Sequence, residues 1–433
     1  MVTLIKTLQV ILALSLLIFI HELGHFTWAR IFGIRVEKFY LFFDIGGKAL
    51  FRFKKGDTEF GIGWLPLGGY CKIAGMIDES LDTEALKKEP SPDEFRTRST
   101  FQRFMVMVGG VLNNFIFAIL AYIAIMGIWG QSYLSNRDAR IYVNDLAYEM
   151  GFRTGDRILS LDDYVPENFG MIQADIARRD VHKVSVLRGC DTVNVYIDHS
   201  RISDILNSGP MFDLAVPFVI DSLQADGPNA GADLAHGDRI IAFDGNGFEF
   251  LQDSRAILDS LGGRLTIASV LRDSDTLSMP VQVDSSGRIG VSIVIPGVEV
   301  KRYNVVSAIP AGLKLTWDTV TGYLKDLKLL ATPSSGAYKS VGSFIAIGQV
   351  FPSAWDWYQF VYILALLSIM LGVMNLIPIP GLDGGHILFI LYEMLTGRKP
   401  GERFLYIAQL IGMVLLVALM MLAFGNDIGR LIH

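Results

Sequence analysis

Cysteine is nearly absent: Cys71 and Cys190 are the two in 433 residues. They fall in segments expected on opposite sides of a bilayer, which excludes a disulfide between them and leaves the redox compartment open. An excess of positive charge is also missing. Lys and Arg number 38 against 44 Asp and Glu, for a net charge of -6, and no basic stripe runs along the chain, so a nucleic-acid binder is excluded. Charged residues of either sign make up only 19%, whereas hydrophobic residues reach 51% and the mean hydropathy is +0.39. That is too apolar for an ordinary soluble protein of two or three domains, so a membrane protein is the first class to test.

The start of the chain lacks a cleavage signal. One Lys6 precedes an apolar run over residues 10–20 that would suit a secretory signal core, but no small-residue cleavage site follows. The run passes directly into His21-Glu22-Leu23-Gly24-His25 and on through Phe26, Trp28 and Ala29. It is read as a membrane span over 3–32, since a crossing needs roughly 20 residues.

Three further runs are long and apolar enough to cross, at 104–129, 357–379 and 404–425. The loop 33–103 carries Arg35, Lys38, Lys48, Lys87, Lys88, Arg96, Arg98 and Arg103, and the short third loop carries Arg398, Lys399 and Arg403. Counting Lys and Arg near span ends, both loops are expected in the cytoplasm. The termini, marked by Lys6 and Arg430, and the long segment 130–356 are then expected outside.

That outer segment holds an internal repeat. Gly155-Asp156-Arg157-Ile158-Leu159-Ser160-Leu161-Asp162 is echoed by Gly237-Asp238-Arg239-Ile240-Ile241-Ala242-Phe243-Asp244. Each copy reads as a tight turn, an alternating strand and a second polar turn. A short apolar helix start is expected before each, at 147–152 and 230–234. The pattern is similar to the Gly-Leu-x-x-Gly-Asp-x-Ile core of PDZ domains, although Asp233 stands where that pattern has glycine. Two tandem modules follow, 130–212 and 213–298. In the linker 299–356, residues 309–330 have helical apolar spacing, which suits a helix on the outer membrane surface or an ordinary packed one.

Chemistry concentrates at the inner end of the first span. Residues four apart share a helix face, so His21 and His25 can offer two imidazoles to one tetrahedral metal, with Glu22 beside them as general base toward water. Ionisable groups in an apolar span cost roughly 2.5–3.5 kcal/mol for a charge at its centre, which argues against chance. The plain alternative is a helix end whose histidines reach headgroup water.

A catalytic zinc takes a third protein ligand. His182, His199 and His236 lie in the outer modules and His433 is terminal, so the better candidate is Asp383, in Asn375-Leu376-Ile377-Pro378-Ile379-Pro380-Gly381-Leu382-Asp383-Gly384-Gly385-His386. Prolines and glycines break the third span there, and irregular backbone at membrane depth is tolerated only in a protein-lined or watery cavity. His386 is the other candidate for that ligand, but it is read as a supporting or structural residue. The alternative for Asp383 is a polar turn at the span's exit.

Together these residues resemble the site-2 protease family of intramembrane zinc metalloproteases, in its bacterial branch with tandem PDZ domains, over nearly the whole chain. The resemblance rests on His-Glu-x-x-His at 21–25, Gly110-x-x-x-Asn114 in the second span, the outer repeat and Asn-x-x-Pro-x-Pro-x-Leu-Asp-Gly at 375–384, in that order. It implies a polytopic α-helical membrane protein with four transmembrane helices, a membrane-dipping β-sheet and two α+β PDZ domains on the extracytoplasmic side. The membrane core would comprise 1–129 and 357–433, the latter with the Leu-Asp-Gly motif at 382–384. It further implies Zn2+ on His21, His25 and Asp383, Glu22 as the base, and Asn375, Pro378 and Pro380 lining the substrate site. The expected location is a bacterial inner membrane, with the active site toward the cytoplasm.

The membrane-dipping sheet is expected from strands at 38–44, 49–54 and 58–65, joined at Gly46-Gly47 and Gly56-Asp57. An exposed edge after residue 58, ending in Gly63, Trp64 and Leu65, would hold an unwound substrate by strand addition. A plain cytoplasmic meander is the alternative. The implied substrates are single-span membrane proteins, such as anti-sigma factors trimmed first by a site-1-type protease, or remnant signal peptides. The outer modules would act as a size filter or as a dock for a new carboxyl terminus. Membrane lipid is the other expected partner, and nucleic acid is not. Two competing classes are a proton or metal transporter using the His, Glu and Asp cluster, disfavoured by the lack of an inverted repeat, and a membrane-anchored PDZ scaffold, which leaves that cluster unexplained.

Overall fold

A computed structural model describes residues 2–65, 68–76, 89–224, 226–295, 297–332 and 342–432. Lys87 and Lys88 lie outside the described residues, as does His433. The chain forms two compact units, one from residues up to 131 together with 302–331 and those from 342 on, the other from residues 132–301.

The first unit is helical. In chain order its helices are α1 (Val2–Ile31), α2 (Thr100–Ile128), α3 (Val305–Leu330), α4 (Phe344–Val350), α5 (Trp357–Leu376), α6 (Asp383–Thr396) and α7 (Glu402–Ile432). Four of them, α1, α2, α5 and the stretch Arg403–Gly429 of α7, are long and apolar enough to cross a membrane. α2 begins four residues ahead of its apolar run because Ser99 and Gln102 form a capping box. α5 stops at Leu376 because Pro378 forces Ile377 out of the helical region, to φ -62 and ψ 135.

α6 fills a stretch that the sequence pattern leaves as loop. Its start is glycine-rich, but from His386 on it is a regular helix that buries Ile387, Ile390 and Glu393 and ends on a left-handed Gly397. α3 is a packed helix rather than one lying free on the outer surface. Gly312 faces Ile123 of α2, and Val320, Tyr323 and Leu327 join a core of Tyr122, Ile125 and Ile369.

Between α1 and α2 lies a four-stranded sheet: β1 (Val36–Leu41), β2 (Ala49–Lys55), β3 (Thr58–Gly63) and β4 (Tyr70–Ile73), in the order β2-β3-β1-β4. β3 is antiparallel to β2 and parallel to β1. The expected free edge after residue 58 is therefore corrected: β3 is internal, with neighbours on both sides, and among the described residues the edge strands are β2 and β4. Sequence proximity pairs β3 with β2 through the Gly56-Asp57 turn, but the parallel partner arrives from farther away. β1 also ends early, because Phe42 has φ 70. The β2–β3 hairpin leaves Leu50, Phe51, Phe53, Ile62 and Trp64 exposed.

The second unit contains two cores, one around Ile141, Phe152, Ile158 and Val184 and one around Ile220, Ile240, Phe243 and Val270. The two sequence repeats fold alike. Gly155 and Gly237 have φ 93 and 89, and Asp162 and Asp244 have φ 49 and 46. Each leads into an antiparallel sheet, of Arg157–Leu161, Lys183–Arg188 and Asp191–Tyr196 in the first copy and of Arg239–Phe243, Leu265–Arg272 and Asp275–Gln282 in the second. Asp156 and Asp238, each 1% exposed, take the same pair of bonds from Arg188 and Arg272. Ahead of the first copy a helix forms at Asp145–Glu149. The second expected helix start, at 230–234, forms turns instead, because the Asn229 side chain is bonded to Gln282 and Ile289 and holds the chain away from helical pairing.

Candidate metal centre

Helical spacing brings the imidazoles of His21 and His25 together on α1, with their Nε2 atoms 3.3 Å apart. Both residues are buried, at 7% and 6% exposure. Oδ2 of Asp383, the first residue of α6, lies 3.1 Å from Nε2 of His21 and 3.3 Å from Nε2 of His25. Zinc bonds of about 2.0–2.1 Å in a tetrahedron put ligand atoms about 3.3–3.4 Å apart. The three observed separations therefore fit one zinc, and these are the residues whose donor atoms form a metal-competent group among the described residues. Among the described residues Oδ2 of Asp383 is buried without a hydrogen-bond partner, which a cation would supply.

The other ring nitrogens are held by α2. Nδ1 of His25 is 2.9 Å from the Val106 carbonyl, so it donates there and leaves Nε2 free for a metal. Nδ1 of His21 is 3.1 Å from the side-chain amide of Asn114. The amide orientation that turns Oδ1 toward the ring lets Nδ1–H donate, and it satisfies an oxygen otherwise buried without a partner. α2 comes this close because glycines meet glycines. A Cβ on Gly24 would collide with Gly109, and one on Gly110 would lie 2.7 Å from Cε1 of His21 and 2.9 Å from Cδ2 of His25.

Glu22 is half-buried on the next position of α1, and its carboxylate accepts from the backbone of Cys71 in β4. β4 is thus the strand that reaches the centre, and it lies outside the strands expected at 38–44, 49–54 and 58–65. Its four residues follow Gly68-Gly69 with too little alternation to stand out. Gly63, Trp64 and Leu65 make contacts elsewhere. Gly63 abuts Phe42 and Phe43, Trp64 donates Nε1–H to Ile45, and Leu65 exchanges backbone bonds with Phe43.

Asn375, on the last turn of α5, places Nδ2 3.2 Å from Nε2 of His21. Pro378 and Pro380 shape the connection to α6. Gly385 lies against Pro380, and Gly384 against the carbonyl of Ile377. His386 lines a cavity of about 340 Å³ together with Met76, Arg103, Phe389 and Glu393.

Residues 9–419 match the profile of Peptidase family M50. The chain belongs to peptidase family M50. This M50 chain is 30% identical to the Regulator of sigma-E protease RseP of Escherichia coli, over 97% of its own length and 98% of that protein's. It is 28% identical to a putative zinc metalloprotease of Ralstonia nicotianae, over 99% of each chain. A putative zinc metalloprotease of Neisseria meningitidis is 27% identical over 98% of this chain and 99% of its own. Family M50 is zinc-dependent, and the buried His, His and Asp donors of this M50 membrane protease suit that metal.

Proposed function

We propose that the chain is an intramembrane zinc endopeptidase that cleaves single-span membrane proteins, with His21, His25 and Asp383 as the ligands. The observation that carries this reading is the meeting of three buried donors, from α1 and α6, at tetrahedral spacing. Bound there, zinc supplies Lewis-acid polarisation of water and of the scissile carbonyl. Glu22 takes the proton from the attacking water and delivers it to the leaving amine. A helical substrate hides its carbonyls, so it unwinds first and adds as a strand to the outer edge of β4, whose Cys71 already touches Glu22. Asn375 steadies the substrate backbone, and Pro378 and Pro380 shape the wall beside it.

The repeats at 130–212 and 213–298 are PDZ-like modules on the extracytoplasmic side of a bacterial inner membrane, with the termini on the same side. They screen substrates already trimmed by a site-1-type protease. The name of the Escherichia coli relative, Regulator of sigma-E protease, favours a membrane-bound sigma-factor regulator as substrate. The test is cleavage of a single-span reporter in vesicles by the purified protein, with and without a zinc chelator, beside Glu22→Gln. The reading requires cleavage by the wild type alone, with zinc retained by the variant. Full activity of Glu22→Gln would overturn it.

A further inference from the structure

α2 touches both histidines of the site along one stripe. Val106 accepts from His25, Gly110 makes room for both rings, and Asn114 holds His21. One turn before Val106 on the same face, Arg103 meets Glu393 of α6, with Nη2 and Oε1 2.6 Å apart. Both side chains are buried, at 10% and 9% exposure, and Nε of Arg103 also donates to the carbonyl of Arg98.

Glu393 lies on the helix that Asp383 begins, ten residues along, or about 15 Å at 1.5 Å per residue. Over that arm a swing of about 4° moves Asp383 by about 1 Å, enough to spoil a site that needs placement within about 0.5 Å. The first turn of the helix packs through Gly384 and Gly385 on residues 377–380, and the Arg103 contact lies at its other end. No side chain caps it at Leu382, and it is bounded by Gly381 and Gly397, with φ 103 and 70. A buried ion pair stabilises weakly, since apolar residues of similar size often replace one without loss. What Arg103 provides is direction, because its Nε is tied to the Arg98 carbonyl while its Nη2 holds Oε1 of Glu393.

We infer that Arg103 is a positioning residue for Asp383, acting through Glu393, so that α2 sets the placement of all three metal ligands. This rests on the reading that Asp383 binds the metal. It concerns how the chain presents that ligand, and it adds no group to the reacting atoms.

The test uses the full-length protein in detergent, stripped and titrated with Co2+, whose visible spectrum reports coordination geometry. Affinity is read against a competing chelator, and thermal unfolding is followed on the metal-free proteins. The double variant Arg103→Met/Glu393→Leu is expected to unfold as the wild type does, yet to bind Co2+ about 10-fold or more weakly with an altered spectrum. Wild-type affinity and spectrum in that variant would overturn the inference. Glu393→Gln keeps the volume and a neutral acceptor, so it stays informative if the double variant fails to fold. It too must bind Co2+ more weakly, and unchanged affinity contradicts the inference. Asp383→Asn is the control for the reading beneath it: wild-type affinity there removes the ligand assignment, whereas a loss there with normal Glu393→Gln removes only the role of Arg103.

Discussion

Nε2 of His21 and Oδ2 of Asp383 stand 3.1 Å apart, joining the first span to the helix that follows the broken third one. Neither residue is tolerable alone in an apolar setting. A buried carboxylate without a partner and an imidazole against it are jointly stable when a cation lies between them. The pairing therefore carries both the metal assignment and the way the membrane core closes.

Gly110→Ala tests how tightly α2 packs on the rings. Its new Cβ would fall on both imidazoles, and these have no room to retreat between α1 and α2. Zinc content is expected to fall well below one per chain while the helices persist by circular dichroism. Gly24→Ala, where the clash is with the backbone of Gly109, is expected to act on stability instead, by about 1–3 kcal/mol. Stoichiometric zinc in Gly110→Ala would contradict the packing.

Asn114→Ala removes the partner of Nδ1 of His21. Loss of such an outer contact typically costs 10–100-fold in metal affinity, and a chelator competition assay should show a drop of about that size. Cleavage at saturating zinc should recover in large part, since Asn114 does not touch the substrate path. An unchanged zinc affinity would mean that Asn114 does not orient His21.

That His21, His25 and Asp383 meet was legible in sequence because it is local chemistry on a regular helix plus one carboxylate in a broken span. Four-residue spacing dictates that His21 and His25 share a face, and Pro378 and Pro380 mark irregular backbone beside Asp383. Strand order was not legible in the same way. Hairpin logic pairs β2 with β3, but the parallel partner β1 and the short β4 are set by contacts far along the chain. α6 was hidden by its glycine-rich first turn. Likewise the tie between Arg103 and Glu393 exists only once α2 and α6 are side by side, and neither residue has a local pattern that announces it.

The repeat modules offer a prediction about acid. Hydrogen bonds from Arg272 hold the carboxyl of Asp238 below the usual carboxylate range. A carboxyl whose pKa is lowered by folding stabilises above its unfolded value, about 3.9, and that contribution is lost as pH falls through the folded value. Hydrogen exchange over residues 239–282 of the full chain should therefore quicken as pH drops below about 4, after correction for intrinsic rates. Arg272→Met should lower stability there by about 2 kcal/mol at neutral pH and flatten the acid response. Equal protection in variant and wild type would refute this.

Deletion of residues 130–298 separates two roles for the modules. A size filter predicts that the shortened protein cleaves untrimmed and trimmed single-span substrates alike. A docking site predicts loss of cleavage for both. The filter is the expected result, and loss of both activities with zinc still bound would contradict it.

The most direct test of the central claim is zinc X-ray absorption on the purified full-length protein. One zinc per chain is expected, with two imidazole nitrogens and oxygen ligands at about 2.0–2.1 Å, and with one oxygen neighbour altered or the metal lost in Asp383→Asn. Protein that holds no zinc, or an unchanged spectrum at full occupancy in Asp383→Asn, would contradict the account.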